Sequence, residues 1–187
     1  MGVGVLGTGV QARLQVALLK TLYPGCKKLT VWGRNKGNTI KYANEAAEMG
    51  WDVSIVDSPT QVADSSNLLI TTTASEVPLL DATDIRIQNT VIIAIGADMP
   101  GKVELSPALL QKAESVLIDS IPQGIDHGNA AVAIRDHAIS PSDLQEFGDF
   151  LANGYRDPKA KDRLRIFLSS GIGVQDLQIV QSVIEGS

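Results

Sequence analysis

The sequence predicts an α/β domain on a doubly wound, mostly parallel sheet with helices on both faces. Three observations carry this. Short β-branched runs alternate with helical patterns almost from end to end. The runs are continuously apolar instead of alternating, as strands buried on both faces of a parallel sheet are. The helical stretches between them open and close with legible punctuation. This β-α-β-α rhythm favours an open sheet joined by right-handed crossovers.

The elements follow in order. Val3 to Leu6 is the first strand, and it runs into a glycine-rich turn. Gln11 to Leu22 is apolar almost all round and stops at Pro24-Gly25, so it reads as a helix. Leu29 to Trp32 is the second strand. Thr39 to Met49 sets Ile40, Ala43 and Ala47 on one helical face and ends at Gly50. Val53 to Val56, Leu68 to Thr72, Val91 to Ile95, Val116 to Ile118 and Ile166 to Leu168 complete the strands. Ser58-Pro59, Ser106-Pro107 and Ser140-Pro141 each look like an N-cap followed by proline at the first helical position. The stretch from Gly124 to Pro158 is the least patterned; Gly154-Tyr155 and Asp157-Pro158 mark a loop before the final strand.

Bulk properties narrow the function. A chain of 187 residues suits one domain. Its net charge of −5 argues against a nucleic acid or an anionic membrane as partner, since phosphate neutralisation needs a dense basic patch. The small basic clusters, such as Lys27-Lys28, read as solvated faces. Cys26 is the one cysteine, which rules out an intrachain disulfide and points to a reducing compartment. No basic n-region precedes the first apolar run, and no apolar run approaches the ~20 residues that span a bilayer. A soluble, cytoplasmic domain without a metal site is expected.

The glycines carry the chemistry. In "VGVLGTGVQA", Gly7, Gly9 and Ala12 have the G-x-G-x-x-G/A spacing directly after the first strand. Gly7 allows the tight turn, Gly9 lets the backbone approach a pyrophosphate, and small Ala12 permits close helix packing. Amides of Thr8, Val10 and Gln11 at the helix start face the anion. The predicted fold is therefore Rossmann-type, and residues 1–187 form one dinucleotide-binding domain. At the end of the second strand an NAD site usually places an acid. Here Gly33, Arg34, Asn35 and Lys36 stand instead. Arg34 can offer a charge-assisted fork to a 2′-phosphate, which favours NADP, with NAD still possible. The alternative is a solvent-facing arginine at a strand end.

Three further stretches, "TTTASEVPLL", "IGADMPGKVEL" and "SSGIGVQDL", follow the fourth, fifth and last strands. With "GTGVQA" in front, their order resembles the ornithine cyclodeaminase/mu-crystallin family, from Val3 to about Ile184. The resemblance implies NAD(P)-dependent interconversion of amino acids and imines, by cyclodeaminases, alanine dehydrogenases or ketimine reductases. It also implies a second domain, drawn mainly from the N-terminal part of the family's chain, that supplies much of the substrate pocket and a homodimer interface. That domain is expected to be absent here.

Within the resemblance, Asp98 matches the family's candidate acid/base, which takes a proton from the substrate amino group as hydride leaves Cα. The other reading is that Asp98 caps the turn before Met99-Pro100. Thr72, Thr73 and Ser75 are expected along the dinucleotide, as are Ile95 and Gly96 before Asp98, and Ser170 and Gly171 before the last helix. A purely structural role stays open for the threonines. Lys102 and Glu104 read either as an ion pair fixing the loop or as substrate contacts, and Asp176 as stabilising the first turn of the last helix.

Other constellations carry less. His127 and His137, beside Asp126 and Asp136, lack a G-x-S-x-G elbow, so a hydrolase has little support. Glu146 and Asp149 read as a solvated edge. The leading function is the cofactor domain of an amino-acid or imine oxidoreductase or cyclodeaminase. The alternative is a non-catalytic nucleotide-binding or protein-interaction module.

Overall fold

A computed structural model of the protein describes residues 2–85, 89–153, 163–172, 177, 180, 181 and 184. Its strands are β1 (Gly2–Leu6), β2 (Lys28–Trp32), β3 (Asp52–Ile55), β4 (Leu68–Thr71), β5 (Val91–Ala94), β6 (Ser115–Ile118), β7 (Leu144–Glu146) and β8 (Arg165–Leu168). They form one sheet in the order β3-β2-β1-β4-β5-β8-β6-β7. Every ladder among them is parallel, from Val3 opposite Leu29 and Leu68 to Ile166 opposite Ile92 and Val116. The expected sheet is therefore present, and wholly parallel.

Helices cover both faces. The first face carries α1 (Val10–Leu22) and α2 (Lys36–Glu48). Ala12, Val16, Tyr42 and Ala46 there pack on Val3, Val5, Leu29, Val31 and Ile70. The second carries α3 (Pro59–Asp64), α4 (Pro107–Lys112) and α6 (Gly128–Arg135). Their buried Val62, Leu109, Leu110, Ala130 and Ala133 meet Leu6, Leu69, Ile92, Val116 and Ile166. Alternate residues of β1, β2, β4 and β5 thus serve two separate cores, which is why these strand sequences read as unbroken apolar runs.

The predicted caps form. Ser58 accepts the Gln61 amide at 3.3 Å and Ser106 the Leu109 amide at 3.1 Å. Ser140 and Asp143 make a capping box, yet it opens only a single 3-10 turn, Pro141–Asp143, which leads into β7. The sequence reading had no strand at 144–146, because three residues of one edge strand give no usable period. β3 departs in another way: its side chains are largely exposed, since it lies at the sheet's other edge. α6 and α7 (Phe147–Asn153) lie inside the stretch from Gly124 to Pro158 that had shown the least pattern, and α5 (Ile121–Gly124) leads into it. The Gly154-Tyr155 and Asp157-Pro158 loop lies outside the described residues.

Candidate functional site

The sheet order reverses at β1. The chain leaves β1 for β2 and β3 and then returns past it to β4, so the two crossovers lie on opposite faces and open a crevice at the strands' C-terminal ends. A cavity of about 250 Å³ occupies this switch point. Gly7 and Thr8 reach it from β1, Arg34 and Asn35 from β2, and Thr72, Thr73 and Ser75 from β4. Seven of the residues singled out in the sequence thus line one crevice. No carboxylate is among its described lining residues, which Trp32, Gly33, Asn38, Ala74 and Leu79 complete.

The turn into α1 is built for close approach. Gly7 has φ +111, and a Cβ there would lie 2.5 Å from Thr72 Oγ1 and 2.8 Å from the Thr72 carbonyl oxygen. Gly9 is the N-cap of α1, with no side-chain cap and no acid in the first turn. A Cβ on Gly9 would meet nothing within 4 Å. The helix therefore presents its first-turn amides to open space, where an anion would satisfy them. Val10, the first helical residue, leaves its own side chain exposed.

Arg13 braces this loop, a role the sequence reading missed. Its Nη1 donates to the carbonyls of Thr8 (2.5 Å) and Gly9 (3.1 Å), and its Nε to Glu45 Oε2 of α2 (2.6 Å). The bond from Arg13 holds the Glu45 carboxyl below its ordinary range. Burial pushes the neighbouring Tyr42 hydroxyl up, and that hydroxyl donates to the Ala12 carbonyl at 3.2 Å. An arginine one turn into a helix is a common solvated residue, so the sequence held no signal for this contact.

The polar side chains lining the crevice have structural partners as well. Asn35 Oδ1 accepts the Asn38 amide at 2.9 Å and so caps α2. Thr72 Oγ1 donates to the Leu6 carbonyl at 3.2 Å, and Ser75 Oγ to the Val77 carbonyl at 2.6 Å. Arg34 also lines a second hollow, with Lys36 and Asp57.

A further cavity of about 730 Å³ opens over β5, β6 and β8. Gln11, Ile95, Asp98, Ser170 and Gly171 are among its lining residues. Asp98 is held by Lys102, with Nζ and Oδ1 2.7 Å apart. The turn beyond Asp98 is closed by the Lys102 amide donating to the Met99 carbonyl at 3.2 Å. The ion pair considered between Lys102 and Glu104 is not formed, because Glu104 turns inward.

Glu104 is fully buried. Its Oε1 accepts the Thr73 amide (2.5 Å) and hydroxyl (2.8 Å), while Oε2 accepts the Thr71 hydroxyl (2.6 Å) and the Gly96 amide (2.9 Å). Burial raises its carboxyl above the ordinary range, against the opposing pull of these four bonds. Asp119, also unread in the sequence, performs a similar task after β8. Its Oδ2 accepts the amides of Ser170 (2.9 Å) and Gly171 (2.8 Å), so both amides point to Asp119.

The remaining candidates are structural. His127 is the N-cap of α6, and His137 follows its end with φ 57. Glu146 Oε1 accepts the Ile121 amide at 3.0 Å, tying β7 to α5, so it is no mere solvated edge. Asp176 lies outside the described residues. Among the described residues no group of three or more His, Cys, Asp or Glu could hold a metal, and no helix is long and apolar enough to cross a membrane.

Comparison with known proteins agrees with this architecture. Alanine dehydrogenase of Archaeoglobus fulgidus is 29% identical over 186 residues, covering 98% of this chain and 56% of that protein. Iminosuccinate reductase of Paracoccus denitrificans is 30% identical over 183 residues, covering 97% and 55%. An archaeal alanine dehydrogenase dimer solved with bound NAD superposes with a TM-score of 0.89 at 26% identity, over 98% of this chain and 57% of that one. The chain thus spans about half the length of the curated relatives it matches. The profile of the ornithine cyclodeaminase/mu-crystallin family matches residues 2–187, and the chain belongs to that family.

Proposed function

We propose that the chain is the dinucleotide-binding domain of an amino-acid or imine oxidoreductase or cyclodeaminase. One observation carries the binding step: the uncapped α1 N-terminus behind Gly9 opens beside the switch-point crevice. A pyrophosphate there would take the free amides, and the adenosine half would lie along Thr72, Thr73, Arg34 and Asn35. The archaeal alanine dehydrogenase was solved with bound NAD, yet in this chain no carboxylate stands among the described lining residues to repel a 2′-phosphate. Arg34 favours NADPH over NADH on charge grounds.

A bound nicotinamide supplies the hydride chemistry. The protein's own contribution is orientation and proton movement. Ile95, Ser170 and Gly171 line the cavity on which Asp98 fronts, and Asp98 takes the proton from the substrate's amino group. Lys102 holds that carboxylate in place through its ion pair. The rest of the pocket, and the homodimer we propose for the whole protein, lie in the part the relatives have and this chain does not match. The test is a calorimetric titration of the purified chain with NADPH and NADH in parallel. Tighter binding of NADPH is expected. Binding of neither would overturn the reading and leave the protein-interaction module in its place.

A further inference from the structure

Glu104 sits between the two loops on which the proposed chemistry depends and touches neither cavity. Its four donors come from both: Thr71 and Thr73 close β4, and Gly96 closes β5. The loops are already in backbone contact, since a Cβ on Gly96 would lie 2.3 Å from the Thr73 amide nitrogen. Thr73 lines the crevice, and Asp98 follows Gly96 by two residues.

The residue is held from behind as firmly as it holds in front. Asn129 Oδ1, buried on α6, accepts the amides of Glu104 (2.8 Å) and Leu105 (3.0 Å). The Glu104 carbonyl accepts the amides of Leu79 (2.8 Å) and Leu80 (3.2 Å). Leu80 and Leu105 form a parallel bridge that continues this anchorage. A rigid chain of contacts therefore runs from the helix layer to the carboxylate, and from there to both strand ends.

We infer that Glu104 is a positioning residue, a buried carboxylate that clamps the β4 and β5 loops together and so fixes the dinucleotide wall relative to Asp98. The inference rests on the cofactor reading above. A single carboxylate can do this because each oxygen faces one backbone N–H and one hydroxyl. An amide cannot. Whichever way a glutamine is turned, its NH₂ meets either the Thr73 or the Gly96 N–H, and one buried donor loses its acceptor.

The test compares dinucleotide affinity with stability. Glu104→Gln, Thr71→Val and Leu109→Ala are made in the full chain, and their melting temperatures are recorded. Leu109 is fully buried on α4 and its side chain makes none of the clamp's hydrogen bonds, so its truncation costs stability while the four donors to Glu104 stay in place. Affinity for NADPH and NADH is then measured well below each variant's melting point. Glu104→Gln is expected to weaken both dinucleotides about tenfold, in line with one stranded donor. Thr71→Val removes one hydroxyl while preserving shape, and is expected to weaken them a few-fold. Leu109→Ala should bind as the parent does.

Should Glu104→Gln fail to fold, Thr71→Val decides between the outcomes. Parental affinity in the folded Glu104 and Thr71 variants would overturn the inference, as would an equal loss in Leu109→Ala. No dinucleotide binding by the parent chain would instead overturn the cofactor reading, and the positioning role with it.

Discussion

Gly7 answers to two constraints at once, a φ of +111 and the Thr72 side chain and carbonyl where its Cβ would be. Gly7→Ala is therefore expected to cost a few kcal/mol, about 1–2 for the left-handed backbone and more for the displaced Thr72. Thermal denaturation would show it directly. Gly9 offers the opposite case. Its φ of −83 suits any residue and its missing Cβ faces open space. Gly9→Asp should cap α1 and raise stability by about 0.5–1 kcal/mol, while its charge stands where a pyrophosphate would. A higher melting temperature with at least tenfold weaker dinucleotide binding is the expected pair of results; unchanged binding would contradict the anion site. Arg34→Ala should weaken NADPH far more than NADH, and equal losses would refute a phosphate contact.

At the scale of elements, α1 and α2 are joined where Arg13 reaches both the glycine loop and Glu45. Because Arg13 lowers the folded-state carboxyl of Glu45 below its ordinary 4.5, the pair's contribution is fully present above pH 4.5. It is lost as pH falls through the lower folded value. Glu45→Gln should thus melt slightly below the parent at neutral pH, with the gap closing under acid conditions. The gap is small because the pair is partly exposed. α1 has a second character on its outer side. Val10, Leu14, Leu18 and Leu22 recur every fourth residue and are each more than half exposed. Such a row is one ridge of a helix surface, with no charge to keep it in water. Leu14→Glu with Leu18→Glu should leave the melting temperature near the parent's and reduce concentration-dependent association in sedimentation.

Across the whole molecule, β8 completes the sheet. β6 is laid down one place away from β5, β7 adds beyond it, and the last strand then fills the gap. Both halves of this sheet region hang on a strand that arrives late in the sequence. Deleting residues from Arg163 onward should abolish cooperative unfolding, followed by circular dichroism, because β5 and β6 would face each other across a missing strand.

Most of this fold was written locally. Apolar runs, the G-x-G-x-x-A turn and the Ser-Pro caps each depend on a few adjacent residues, and the seven strands other than β7 and both long helices follow from them. β7 escaped because three residues at an edge bury too little to leave a pattern. The candidate site divides the same way. Gly7, Thr8, Arg34, Thr72 and Thr73 were legible because strand ends in this topology converge by rule. Arg13, Asp119 and the inward turn of Glu104 were not, since these side chains bind partners as far as 32, 52 and 33 residues away, whose direction no local pattern encodes. The sequence by itself determined the parallel sheet and the turn at which a dinucleotide would dock, because short-range sterics and periodicity decide them, and its motifs carried the resemblance to the family. Only the tertiary structure decided which polar groups hold the loops and which remain open, because that depends on how distant strand ends meet once the sheet has formed.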